Sequence, residues 1–186
     1  MKGIIIYKGK YGATRQYAQW VSEGFKLPVF TPDNLDMEEM LKSDFVVIGS
    51  SVYMGKMLLY DWLKKNIKTL QDKIIFLFVV CGTPPSEKEK QQHIAEDNVP
   101  ALLLNTSNTF FLPGRLIRKE LSWSDRLLVK IGASFEKDPI RKKAMLEDMD
   151  GVKKENLAEM FTVIRSLTLE KEAVTDDVGV YGSSHL

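Results

Sequence analysis

Glycine and hydroxyl residues gather where an apolar run gives way to a helix-forming run, an arrangement suited to holding a phosphate. Ile4-Ile5-Ile6-Tyr7 leads into Lys8-Gly9-Lys10-Tyr11-Gly12-Ala13-Thr14. A strand, a loop and then a helix start aim backbone N–H groups and the positive end of the helix dipole at one spot. Gly9 and Gly12 permit the tight backbone path, and the Thr14 hydroxyl adds a donor. The same residues also suit a plain strand-to-helix turn. A nucleotide P-loop needs GxxxxGK[ST] and a dinucleotide site needs GxGxxG. The chain has only Gly9-x-x-Gly12, which argues against ATP, GTP and NAD.

Three further apolar runs end in comparable loops. Phe45 to Ile48 leads into Gly49-Ser50-Ser51-Val52-Tyr53-Met54-Gly55. Ile74 to Val80 leads into Cys81-Gly82-Thr83-Pro84-Pro85, and Phe110 to Leu112 into Pro113-Gly114-Arg115. Strands without polar alternation are buried on both faces, as in a parallel sheet covered by helices, and such sheets bind ligands beyond the carboxyl ends of their strands. Helical periodicity between the runs predicts an α/β fold. Tyr17, Trp20, Val21 and Gly24 share one face of a helix over 13–25. Leu27 to Phe30 reads as a second strand and Asp36 to Lys42 as an acidic helix. Leu59, Trp62, Leu63 and Ile67 point inward from a helix over 56–69. Ser86 and Glu89 form a capping box for a polar helix over 86–98, and a last helix spans 153–170, with Asp150 near its start.

Composition bounds the function. The formal net charge is +1, so no strong field draws nucleic acid. One cysteine rules out an intramolecular disulfide, and two distant histidines make no metal set. No stretch reaches the ~20 apolar residues of a membrane span, and Met1-Lys2-Gly3 runs directly into a strand. A cytoplasmic protein is expected, with peripheral contact at the inner face of the membrane left open.

The first loop resembles that of the flavodoxin family, commonly Thr/Ser-x-Thr-Gly-x-Thr around the phosphate of FMN. Gly12 and Thr14 match the pattern, while Gly9 and Tyr11 replace hydroxyl residues. The resemblance implies a doubly wound five-stranded parallel sheet of order 2-1-3-4-5 with FMN as cofactor. It assigns the phosphate to Gly9, Lys10, Tyr11, Gly12, Ala13 and Thr14. The flavin ring falls to Ser50, Ser51, Val52, Tyr53, Met54 and Gly55, with Tyr53 stacking, and to Cys81, Gly82 and Thr83. No catalytic acid or base stands out beside these loops, and Cys81 reads as a small buried residue. FLPGRL (111–116) and WSDRLL (123–128), with a long helical insertion over 115–150, resemble the branch containing the menaquinone-dependent protoporphyrinogen dehydrogenases. The resemblance spans about residues 2 to 170. It implies one domain over 1–170, with a tail over 171–186 expected to be mobile.

Within the insertion, Trp123, Leu127, Ile131 and Phe135 recur four apart, and nine Lys/Arg stand against four Asp/Glu over 115–143. The stripe is expected to pack on the domain, apart from the flavin loops. The alternative is a basic amphipathic surface, including Arg126, Lys130, Arg141, Lys142 and Lys143, for an anionic membrane or a carboxylated substrate. The expected activity is an FMN-dependent oxidoreductase passing electrons from an unspecified donor to a quinone or organic acceptor, with porphyrinogen as a candidate substrate. The alternative is a flavodoxin-type electron carrier with no substrate of its own. Near-neutral charge and a basic insertion weigh against the carrier, whose partners are usually steered by an acidic surface. A phosphoacceptor receiver lacks its acidic cluster, since Lys8 and Lys10 stand at that position.

Overall fold

In the computed structural model, which describes residues 1–179, five parallel strands form the central sheet. These are β1 (Gly3–Lys8), β2 (Val29–Phe30), β3 (Phe45–Tyr53), β5 (Ile74–Cys81) and β6 (Asn108–Pro113). Their spatial order is β2-β1-β3-β5-β6, and the short β4 (Lys56–Met57) folds back antiparallel on the end of β3. With β4 as an appendage of β3, this is the expected order 2-1-3-4-5.

Both faces of the sheet are covered. Ile5, Val47, Phe76, Phe78 and Leu112 pack with Tyr17 and Val21 of α1 (Ala13–Phe25) and with Met160 and Ile164 of α8 (Ala158–Gly179). The alternate residues Ile4, Ile6, Val46, Ile48, Leu77 and Val79 face the other way. They meet Met40 of α2 (Met37–Lys42), Leu63 and Leu70 of α3 (Tyr60–Leu70), and Leu103 of α5 (Ala101–Leu104). Ala95 is buried on α4 (Lys88–Asn98) with Ile94 packed beside it, and the rest of that helix is polar. This two-sided burial explains the strands' lack of polar alternation.

Several boundaries differ from the sequence reading, each for a local reason. The helix expected from residue 56 starts at Tyr60 because Met54 (φ 52) and Gly55 (φ 78) turn the chain back into β4. Two consecutive positive φ values define a type I′ hairpin turn. Buried Asn98 clamps it, accepting from the Met57 N–H at 2.7 Å and donating to the Gly55 carbonyl at 2.9 Å. The Ser86 capping box does not form: a turn from the Glu87 N–H to the Pro84 carbonyl carries the chain past Ser86, and α4 starts without a side-chain cap. Asp36 caps α2 by accepting from the Glu38 N–H at 2.9 Å. Asp150 starts no helix. It lies in β8 (Met149–Asp150), which pairs antiparallel with β7 (Arg115–Leu116), and its carboxylate holds the Arg115 Nε at 2.8 Å.

That two-stranded ribbon closes the base of the insertion, which carries α6 (Trp123–Phe135) and α7 (Pro139–Leu146). After a 3₁₀ turn over Lys154–Leu157, α8 continues to Gly179, past the expected boundary at 170. The remainder of the expected tail, 180–186, lies outside the described residues. Among the described residues no helix is long and apolar enough to cross a membrane.

Phe78 is fully buried, and its ring fills the space beside Gly49, where a Cβ would lie 2.1 Å from Phe78 Cζ. Phe78→Ala is expected to lower stability by about 3–5 kcal/mol in urea unfolding. A loss below about 1 kcal/mol would contradict the packing described here.

Candidate functional site

At the carboxyl ends of β1, β3 and β5 lies a cavity of about 350 Å³, of a size common for small-molecule sites (~300–1,000 Å³). Lys10, Tyr11, Ala13 and Thr14 line it from the first loop, Ser51, Val52, Tyr53 and Met54 from the second, and Cys81 and Gly82 from the third. The remaining candidates do not line it and act on the backbone instead. Gly9 makes room for Thr14: a Cβ there would lie 2.6 Å from both Thr14 Cβ and Oγ1. Gly12 starts α1 at φ 82, a left-handed conformation that favours glycine, although the space around it is open. Buried Ser50 accepts the Leu59 N–H at 3.1 Å, Gly55 completes the hairpin turn, and the Thr83 carbonyl accepts from Gln91 at 3.5 Å.

The first turn of α1 has neither a side-chain cap nor an acidic residue. Its orphan N–H groups are thus left without a side-chain acceptor, which suits an anion. On the second loop, the Ser51 Oγ is buried without a hydrogen-bond partner. Such a group ordinarily costs free energy and calls for a partner. An uncapped helix start and a buried, unpaired hydroxyl therefore border the cavity on adjoining segments.

The sequence reading did not anticipate the opposite wall. Leu116, Leu121, Asp125, Leu128, Val129, Met145 and Met149 of the insertion line the same cavity. The insertion does not sit apart from the loops. Asp125, only 3% exposed, is where the two sides join. Its carboxylate accepts the Tyr53 hydroxyl at 2.6 Å and the Tyr11 hydroxyl, and it pairs with the Lys10 ammonium at 2.7 Å. Lys10 also lies 3.9 Å from the Tyr53 ring centroid, a cation–π contact. The hydrogen bond to Asp125 raises the Lys10 pKa above its ordinary value, outweighing the opposing effect of burial, so Lys10 is an ammonium at neutral pH.

The same contact decides which face of α6 turns inward. Asp125 and Ala133 are buried, with Val129 between them on the cavity wall. Trp123, Leu127, Ile131 and Phe135 turn outward, with Trp123 and Phe135 each 80% exposed. The expectation that this stripe packs on the domain is corrected: a row led by a carboxylate faces inward because three donors await it there. Arg126 is also committed, donating to the Leu121 carbonyl at 3.1 Å and the Lys119 carbonyl at 2.9 Å. Lys130, Lys142 and Lys143 are exposed, and the side chain of Arg141 lies outside the described residues. Asp125 was missed because no local pattern links it to Lys10 or Tyr11, more than a hundred positions away.

A parallel sheet of this order, covered on both faces and with an uncapped helix start after its first strand, defines a flavodoxin-like fold. The chain belongs to the flavodoxin-domain family, whose sequence profile matches residues 4–142. The cofactor is FMN. The uncapped start of α1 and the unpartnered Ser51 hydroxyl fit such a phosphate-bearing, hydrogen-bonding group. The chain is similar to a flavodoxin from the domain Archaea, with 19% identity over 64% of this chain and 87% of the other, at TM-score 0.43. It is also similar to the Trp repressor binding protein from Bacillus subtilis, with 18% identity over 61% and 85%, at TM-score 0.42. Oxidised flavodoxin 1 from Bacillus cereus shares 14% identity over 61% and 86%, at TM-score 0.41. No curated protein matches the chain. The family assignment rests on the sequence profile.

Cys81 lines the cavity yet is 7% exposed, and burial pushes its thiol pKa up. The reactive thiolate is therefore scarce at neutral pH. Iodoacetamide should label Cys81 of the folded protein more slowly than in urea by about tenfold or more, read by mass spectrometry. Equal rates would show that the thiol is neither buried nor suppressed.

Proposed function

We propose that this chain is an FMN-dependent oxidoreductase whose insertion receives a ring-containing redox partner with a large apolar surface, with a quinone as electron acceptor and a porphyrinogen, a carboxylated macrocycle, as substrate. The observation that carries this reading is the shared cavity. Leu116, Leu121, Leu128, Val129, Met145 and Met149 line the space that the cofactor loops line. These aliphatic and thioether groups suit an apolar ring and exclude water. In this assignment the first-turn N–H groups of α1 and the Thr14 hydroxyl take the phosphate. Ser51 and the backbone of 51–54 and 81–82 address the flavin edge, and Tyr53 flanks the ring. Bound FMN supplies the redox chemistry, and the protein binds, orients and shields it. Lys10, neutralised by Asp125, adds no uncompensated positive charge beside the cofactor.

The outward stripe supports a further element of this reading, contact with an anionic membrane in which a quinone is dissolved. Trp123, Leu127, Ile131 and Phe135 are exposed on α6, and Lys130, Lys142 and Lys143 are exposed in the same insertion. Exposed apolar groups beside basic ones are the composition of a surface that lies on such a membrane. Family membership supports the second reading, a flavodoxin-type carrier, which needs no substrate pocket.

The loop assignment predicts that Gly12→Val combined with Thr14→Ala weakens FMN binding about tenfold or more in a fluorescence titration, through lost backbone geometry and a lost donor. Unchanged affinity would remove the phosphate from this loop. The substrate assignment predicts FMN-dependent oxidation of protoporphyrinogen with a menaquinone as acceptor, and co-sedimentation with anionic vesicles at low salt. Replacing Lys130 and Lys142 by Gln should reduce vesicle binding by about thirtyfold, at ~1 kcal/mol per basic group. A wild-type protein with neither turnover nor vesicle binding would leave the carrier reading.

A further inference from the structure

We infer that Asp125 is a latch: it holds the insertion closed over the cofactor cavity and couples that closure to cofactor retention. The inference rests on reading the cavity as the FMN site. The insertion is tied to the domain at its base, where β7 pairs with β8 and Arg115 holds Asp150. Farther out, the hydrogen bonds and ion pair that join α6 to the first two cofactor loops, among the described residues, run through Asp125 and its neighbour Ser122. Asp125 takes Lys10, Tyr11 and Tyr53, and the Ser122 N–H reaches the Tyr11 hydroxyl at 3.5 Å. Ser122 also caps α6, its Oγ accepting the Asp125 N–H at 3.2 Å, so the latch and the helix start are one unit.

The chemistry makes closure specific. A carboxylate this deeply buried is tolerable only when paired and hydrogen-bonded. Here one oxygen takes Lys10 and Tyr11, and the other takes Tyr53. The three donors come from two different loops, so they converge on one point only when both loops and the insertion are in register. Opening the insertion returns Asp125 to water and leaves Lys10 as a free cation in the cavity wall. Buried polar networks of this kind define an arrangement more than they add net stability. Lys10, Tyr11 and Tyr53 themselves line the cavity, so a bound cofactor that holds those loops also favours the closed insertion. Linkage requires the converse: closure tightens cofactor binding, and a tighter site ordinarily shows it as slower release.

The test uses the full chain. Asp125→Asn keeps the side-chain shape but removes the charge and turns an amide NH₂ toward at least one of the donors. FMN release from the loaded protein should accelerate about tenfold, followed by fluorescence after capture of free FMN, as expected for losing charge-assisted hydrogen bonds. Tryptic cleavage at exposed Lys130 of the cofactor-free protein should accelerate by a similar factor. Tyr53→Phe, which removes one donor and keeps the ring, should shift both rates the same way by about threefold, a smaller loss in keeping with one neutral donor. It serves as the test if Asp125→Asn fails to fold. Wild-type rates of release and cleavage in both variants would overturn the latch. Faster cleavage with unchanged FMN release would overturn the coupling. If the wild-type protein takes up no FMN, the cofactor reading fails, while the cleavage rates still decide whether Asp125 holds the insertion.

Discussion

Burial of both faces of the parallel sheet is the constraint from which the rest of the molecule follows. Alternate residues of β1, β3 and β5 feed two separate cores, one under α1 and α8 and one under α3 and its neighbours. Once both faces are covered, the carboxyl ends of the strands are the open ground left for a small molecule. The glycines and hydroxyls collected there are not redundant. Gly9 accommodates Thr14 and Gly12 takes the left-handed turn into α1, while Ser50 fixes the start of α3. These residues shape the backbone, and their neighbours Lys10, Tyr11, Ala13, Thr14 and Ser51 line the cavity.

The insertion adds to this site. A ribbon closes its base, and one carboxylate fixes its position over the loops. That single contact accounts for three otherwise separate observations. It turns the Asp125 row of α6 inward, leaves the Trp123 stripe in solvent, and neutralises the ammonium beside the cofactor loops. A basic side chain near a bound flavin would otherwise leave an uncompensated charge in the cavity wall. Pairing Lys10 with a buried carboxylate settles that charge inside the protein.

Much of the architecture was legible in the sequence because it is written in local pattern. Uninterrupted apolar runs marked the strands, and periodicity marked α1, α3 and α8. The loops around Gly12, Ser51 and Cys81 fell at the strand ends as expected. Boundaries were lost where a turn competed with a helix. Positive φ at Met54 and Gly55 made a hairpin of residues read as helix, and a turn at Pro84 overrode the Ser86 cap. The orientation of α6 was not legible at all. Amphipathic pattern favours burying Trp123, Leu127, Ile131 and Phe135, and only a partner distant in sequence reverses it. Asp125 stood in the WSDRLL stretch that carries the resemblance and in the first turn of a helix, but neither pointed to its partners.

The central claim is that FMN occupies the cavity between the first three cofactor loops and the insertion. The chain also has a larger surface trough of about 650 Å³ between α4 and β6, lined by Lys88, Gln92, His93 and Phe111 among others. The two places share no lining residue, so backbone amide chemical shifts of isotope-labelled protein on addition of FMN separate them directly. The account predicts that the large shifts fall on residues 10–14, 51–54 and 81–82, together with Leu121, Asp125 and Val129 of the insertion. Shifts concentrated on residues 88–93 and 109–111, with the first loop and Asp125 unmoved, would contradict it.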